Sequence, residues 1–201
     1  MPADDFLPVY DVSDEVATVV DAEPSAVWGA LLDADLIELG RRAPMIGFLG
    51  ALRALPAAVS ELLHGERPAS PPASMRLREL TELPSDQGGW VLLGERPGEE
   101  IALGLVGKFW RPVIAFTDVG AGAFRDFSEP GYAKTLYLLS VQPVEDGRTL
   151  LSGLMRTATT DEHARRWFRR YWTIGVGSGA HVLVNALLEM VRENAESAQR
   201  K

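Results

Sequence analysis

The sequence predicts a single α+β domain: one strand, two short helices, an antiparallel meander and a long C-terminal helix. Three observations predict it. The chain has 201 residues, enough for one substantial core and short for two. From Ser74 to Thr159 the text is β-like and is cut by short turn signals, which join neighbouring strands antiparallel. Thr159-Thr160-Asp161-Glu162 then reads as the start of a helix that runs to about Glu196.

Residues 1–9 form an irregular lead-in. Tyr10 to Asp21 is rich in Val and Thr and predicts the first strand. Pro24 suits the first position of a helix, and Val27, Trp28, Leu31 and Leu32 supply its apolar stripe. Asp35-Leu36-Ile37-Glu38 resembles a capping box and predicts a second short helix. Residues 43–63 hold 14 apolar side chains in 21 positions, with Arg53 and Glu61 the only charges. Two prolines and two glycines there exclude one long helix, so short helical pieces are expected. With the Pro-rich loop that follows, this is an apolar insertion at about 43–73 in a domain spanning 1–201.

Six further strands are predicted at 74–83, 89–95, 99–108, 111–117, 132–143 and 148–159, giving about seven in all. Asp86-Gln87-Gly88-Gly89, Arg96-Pro97-Gly98 and Glu145-Asp146-Gly147 are the turns. Residues 118–131 are a long Gly-rich loop. In the last helix, Thr159 is expected at the N-cap with Glu162 closing the box. Straight, it would span on the order of 50 Å; Gly175, Gly177 and Gly179 predict a kink instead.

Composition excludes several functions. Net charge is −8, from 20 Lys+Arg against 28 Asp+Glu, so a nucleic-acid partner is not expected. There is no Cys, which removes disulfides, thiolate nucleophiles and Cys-ligated metal. His64, His163 and His181 lie far apart, and no metal and no cofactor are expected. The N-terminus lacks the basic and apolar regions of a signal peptide, so the expected location is cytoplasmic. Tyr171 to Leu188 carries no formal charge over 18 residues, but its polar side chains and glycines favour a core helix over stable membrane insertion.

The order of elements resembles the START-like helix-grip superfamily (SRPBCC), which includes polyketide cyclases/dehydrases and lipid-transfer proteins. The most similar text is Val16–Leu36, Gly131–Ser140 and Gly147–Trp172, and the resemblance covers nearly the whole chain. It implies a curved sheet wrapped around the C-terminal helix with an apolar cavity between them. It does not choose the ligand or say whether chemistry occurs. The long apolar segment 43–63 and the loop 118–131 depart from a minimal domain of this kind, and both are expected near the cavity mouth.

No nucleophile elbow, Walker A, zinc-protease or dinucleotide-binding motif is present. The candidates are cavity residues instead. Arg156 sits in a strand apolar on both faces and needs a partner such as Glu79, Glu95 or Glu100, unless it anchors a ligand carboxylate or carbonyl. Tyr132 and Tyr137 take opposite faces of one strand, and sequence parity does not say which points inward. Trp110 and Trp172 could pack a core or line a pocket, and His181 lies on the apolar C-terminal helix. Arg165, Arg166, Arg169 and Arg170 read as a solvated helix face.

Three functions follow as expectations. The first is binding or transport of a small apolar ligand such as a lipid or polyketide. The second is a cyclase/dehydrase-like enzyme, which needs at least two titratable groups converging in the cavity. The third is an oligomerisation or partner-binding module, with a homodimer possible through 43–63 and 118–131.

Overall fold

The computed structural model describes residues 1–42, 74–82, 89–111 and 114–200. The apolar segment 43–63, the rest of its insertion, His64 and most of the turn at 86–89 lie outside the described residues. The elements are β1 (Val12–Val20), α1 (Pro24–Leu32), α2 (Leu36–Arg42), a 3-10 turn (Leu77–Glu82), β2 (Trp90–Arg96), β3 (Glu100–Gly107) and α3 (Ala121–Phe124). They continue with β4 (Ala133–Pro143), β5 (Thr149–Thr159), α4 (Glu162–Tyr171), a π-helical turn (Trp172–Val176) and α5 (Gly177–Gln199). One open antiparallel sheet has the order β1-β5-β4-β3-β2. Two tight turns build its hairpins: Gly98 at φ 81° between β2 and β3, and Asp146 and Gly147 at φ 62° and 68° between β4 and β5.

Five strands are described, not seven. The expected strand 74–83 makes a single bridge, Arg76 to Asp35, and then coils into the 3-10 turn. The α1–α2 connection takes up its hydrogen bonds: Leu36 N–H donates to Met75 O, and Leu77 N–H to Ala34 O. That frees Leu77 and Leu80, three apart, to enter the core together. Among its described residues, the expected strand 111–117 likewise makes only a bridge from Phe116 to Gly107. Lys108 N–H donates to Ala115 O and Thr117 N–H to Val106 O, so this segment folds back on the end of β3.

The caps also differ in one place. Asp35 accepts from the N–H groups of Ile37 (2.9 Å) and Glu38 (3.4 Å), and from Met75 N–H at 3.2 Å. Although burial works against it, these bonds hold its carboxyl below the usual aspartate value. At α4, however, the N-cap is Asp161, not Thr159: its carboxylate accepts from Ala164 N–H at 2.7 Å. Thr159 donates its hydroxyl to Asp11 instead.

The main core lies between one face of the sheet and α1, α2 and α5. Strand alternation sends Leu103, Leu139, Val141 and Leu151 to this inner face. The even-numbered neighbours Ala102, Leu136 and Ala158 face the other way, where Ala3 and Leu7 of the N-terminal segment cover them. Val119 and Phe124, from the 118–131 loop, cover Val106 on the same outer face.

Candidate functional site

Register fixes what lies beneath the C-terminal helix. Three rows cross the inner face: Ile101–Leu139–Gly153–Val16, Leu103–Tyr137–Met155–Asp14 and Leu105–Thr135–Thr157–Val12. The first row is where the helix comes down on the sheet. A Cβ at Gly153 would sit 2.7 Å from Val184 Cγ1, so only glycine lets α5 approach this closely. Going back along the helix toward its start, the π-helical turn at Trp172–Val176 breaks the run. The stretches Glu162–Ile174 and Gly179–Gln199 meet at 64°. Over the second and third rows the helix is therefore not pressed onto the sheet, and space is left.

That space is two cavities. One of about 200 Å³ lies among Leu36, Leu39 and Gly40 of α2, Leu77 and Leu80 of the 3-10 turn, Leu103 and Leu139 of the sheet, and Leu183 and Leu187 of α5. The other, of about 160 Å³, lies under the helix break among Phe109, Phe116, Met155, Phe168, Tyr171 and Trp172. Tyr137 lines both. Its ring packs against Trp90 with centroids 5.6 Å apart. Its hydroxyl makes no hydrogen bond to another described residue. Burial, with a smaller contribution from Tyr171, pushes its phenol up to about 12, so it stays neutral and can donate. Thr135 and Thr157, on the wall of the second cavity, satisfy each other across strands at 2.9 Å. Among the described residues, no charged side chain lines either cavity.

Of the residues singled out in the sequence, Tyr137 and Trp172 reach these cavities and the others do not. Arg156 lies on the outer face. It pairs with Asp4, donates to Leu7 O at 3.2 Å and stacks 4.5 Å from the Tyr10 ring. Neither Glu79 nor Glu95 is its partner: Glu79 accepts from Arg76 N–H at 2.9 Å, and Glu95 is exposed on the edge strand β2. Tyr132 is on the outer face too, between Lys108 and Phe127. Trp110 packs at the edge of the small cluster around Leu105 and Phe109. His181 is half-exposed and pairs with Asp14 at 2.9 Å, tying α5 to the edge strand β1. Trp167 is 45% exposed and stacks with Arg170.

Sequence reading passed over Trp90, Leu103, Thr135 and Thr157. The available signal was parity: Thr135, Tyr137, Leu139 and Val141 share one face, and Gly153 lies on the corresponding face of the next strand. Among the described residues no group of three His, Asp or Glu side chains is placed to hold a metal ion. Nor is any single helix among them long and apolar enough to cross a membrane.

No protein-family model matches the chain, and no curated protein matches it. Among solved structures, the crystal structure of TTHA0849 from Thermus thermophilus aligns over 93% of this chain and 99% of its own, at 11% identity and a TM-score of 0.34. That agreement is too low to carry an argument about fold or function.

Proposed function

We propose that the protein binds a small apolar molecule in the hollow between the inner face of the sheet and the broken C-terminal helix. The observation that supports this is the pair of apolar cavities meeting at Tyr137. Together they reach the low end of the range for small-molecule sites, about 300–1,000 Å³. A sheet that packs its inner face on a long C-terminal helix with a hollow between them also favours the START-like helix-grip resemblance. The enzyme reading has less support. It needs converging acids and bases, and Arg156, Glu79, Glu95 and His181 all lie elsewhere.

Native mass spectrometry of the purified protein tests the reading, followed by titration with an apolar fluorophore. A co-purified apolar adduct, or saturable fluorophore binding, is expected. The control is Gly40→Phe, because a Cβ at Gly40 meets no described atom within 4 Å and the residue lines the first cavity. This variant is expected to fold and to lose binding. An adduct-free mass with no saturable binding overturns the proposal.

A further inference from the structure

We infer that the ligand is an uncharged chain molecule carrying one hydrogen-bond acceptor, such as a ketone, ester or alcohol oxygen, which takes the hydroxyl proton of Tyr137 while apolar arms occupy the cavities on either side. This rests on the binding reading above and adds the ligand's chemical class to it.

Four observations lead there. Tyr137 carries the only hydroxyl among the described residues that line the first cavity, and the same residue lines the second. The hydroxyl makes no hydrogen bond to a described residue, although a partly buried phenol normally finds a partner. Of the three other hydroxyls on the second wall, Thr135 and Thr157 are engaged with each other, and Tyr171 is engaged as well. The Tyr137 hydroxyl is therefore the open hydroxyl donor on the residue that the two spaces share. Finally, no described charged side chain lines either space, so an ionised headgroup would be desolvated with no counter-charge from the described residues. A carboxylate anchored by Arg156 is excluded by geometry, since that guanidinium lies on the opposite face of the sheet and is held by Asp4.

The phenol's chemistry fits this assignment. Burial raises its ionisation to about 12, so at neutral pH it offers a proton and no negative charge. The ring's place against Trp90 fixes where the hydroxyl points. The Tyr137 contribution is positioning and selectivity; no bond is made or broken.

The test uses three chains of equal length, nonan-2-one, nonane and nonanoate, titrated into the intact protein by tryptophan fluorescence. The ketone is expected to bind about three- to tenfold tighter than the alkane, the net effect of one hydrogen bond. The carboxylate is expected to bind at least about a hundredfold more weakly than the ketone. Tyr137→Phe should erase the preference for the ketone and leave nonane binding unchanged, a readout that general loss of structure would not give. Should that variant not fold, the ranking on the unaltered protein decides alone. Equal binding of ketone and alkane, or tight binding of nonanoate, overturns the inference and leaves the binding reading standing. No binding of any of the three overturns both.

Discussion

The two faces of the sheet are finished in opposite ways. The inner face is apolar and is left incompletely filled around Tyr137. The outer face is filled, and it buries charge. Lys134 is 8% exposed and donates to Phe124 O at 3.2 Å and to Arg125 O, while its ammonium sits over the Phe124 ring. Burial pushes that ammonium below its ordinary value, partly offset by Asp126. Glu100 pairs with Arg96, and Arg156 gathers the N-terminal segment through Asp4, Leu7 and Tyr10. The difference teaches where specificity of folding is separated from capacity to bind. Buried charges need fixed partners, so they pin a loop and a terminal segment in one place. A hollow needs the reverse, walls with few polar demands that tolerate an occupant.

The sharpest way to break this comparison is to remove the same side chain from each face. Leu136→Ala, on the filled outer face, should cost about 2–5 kcal/mol in chemical denaturation. Leu139→Ala should cost less, because Leu139 already borders a void and has fewer contacts to lose. Equal costs would mean that the two faces are packed alike.

Alkaline pH should then separate Tyr137 from the rest of the protein. Its folded ionisation, at about 12, lies above the unfolded value near 10. The folded state therefore keeps a proton that the unfolded state gives up. The resulting stability is complete below about pH 10 and is lost as pH rises toward 12, an effect of about 2–3 kcal/mol. Denaturation of the native protein and Tyr137→Phe across this range checks it: the fall should be shallower in the variant.

Gly153→Val tests the contact that brings the helix down onto the sheet. Its side chain would meet Val184 and Leu139, and overpacking of this kind costs about 1–3 kcal/mol. Lifting α5 should also enlarge the hollow, which raises fluorophore capacity as stability falls. The smallest effect belongs to the outer face. Arg156→Met should destabilise by about 1–2 kcal/mol through loss of its bonds to Asp4 and Leu7. Hydrogen exchange in residues 3–10 should quicken, while ligand binding from the inner face stays unchanged.

Much of the scaffold was legible in the chain because it is encoded locally. Pro24 stands at the start of α1, Asp35 caps α2, and Gly98 and Gly147 occupy turns that need positive φ. The glycines of 175–179 lie at the break in the C-terminal helix. Where the reading failed, a non-local partner had won. Residues 74–83 have strand-like composition, yet Asp35 and the α1–α2 connection draw off their hydrogen bonds before the sheet can use them. Thr159 lost its capping role because Asp11, nearly 150 residues away, takes its hydroxyl. Arg156 was recognisable as a buried charge in need of a partner, but Asp4 stands 152 positions away and no local pattern points to it.

The sequence by itself determined the α+β order of elements, the acidic and cysteine-free composition, and the concentration of apolar residues at 43–63 and 171–188. It could not choose a face for Tyr137, because Leu136 and Leu138 on one side of the strand balance Leu139 and Val141 on the other. Only the tertiary structure decided that. With the N-terminal segment and the 118–131 loop on the even-numbered face, the helix is left to cover the odd one. Its close approach at Gly153 and its break at Trp172–Val176 then place the open hydroxyl of Tyr137 inside an apolar hollow. An average composition thus conceals a sheet with one face covered and carrying paired charges and the other apolar and incompletely filled.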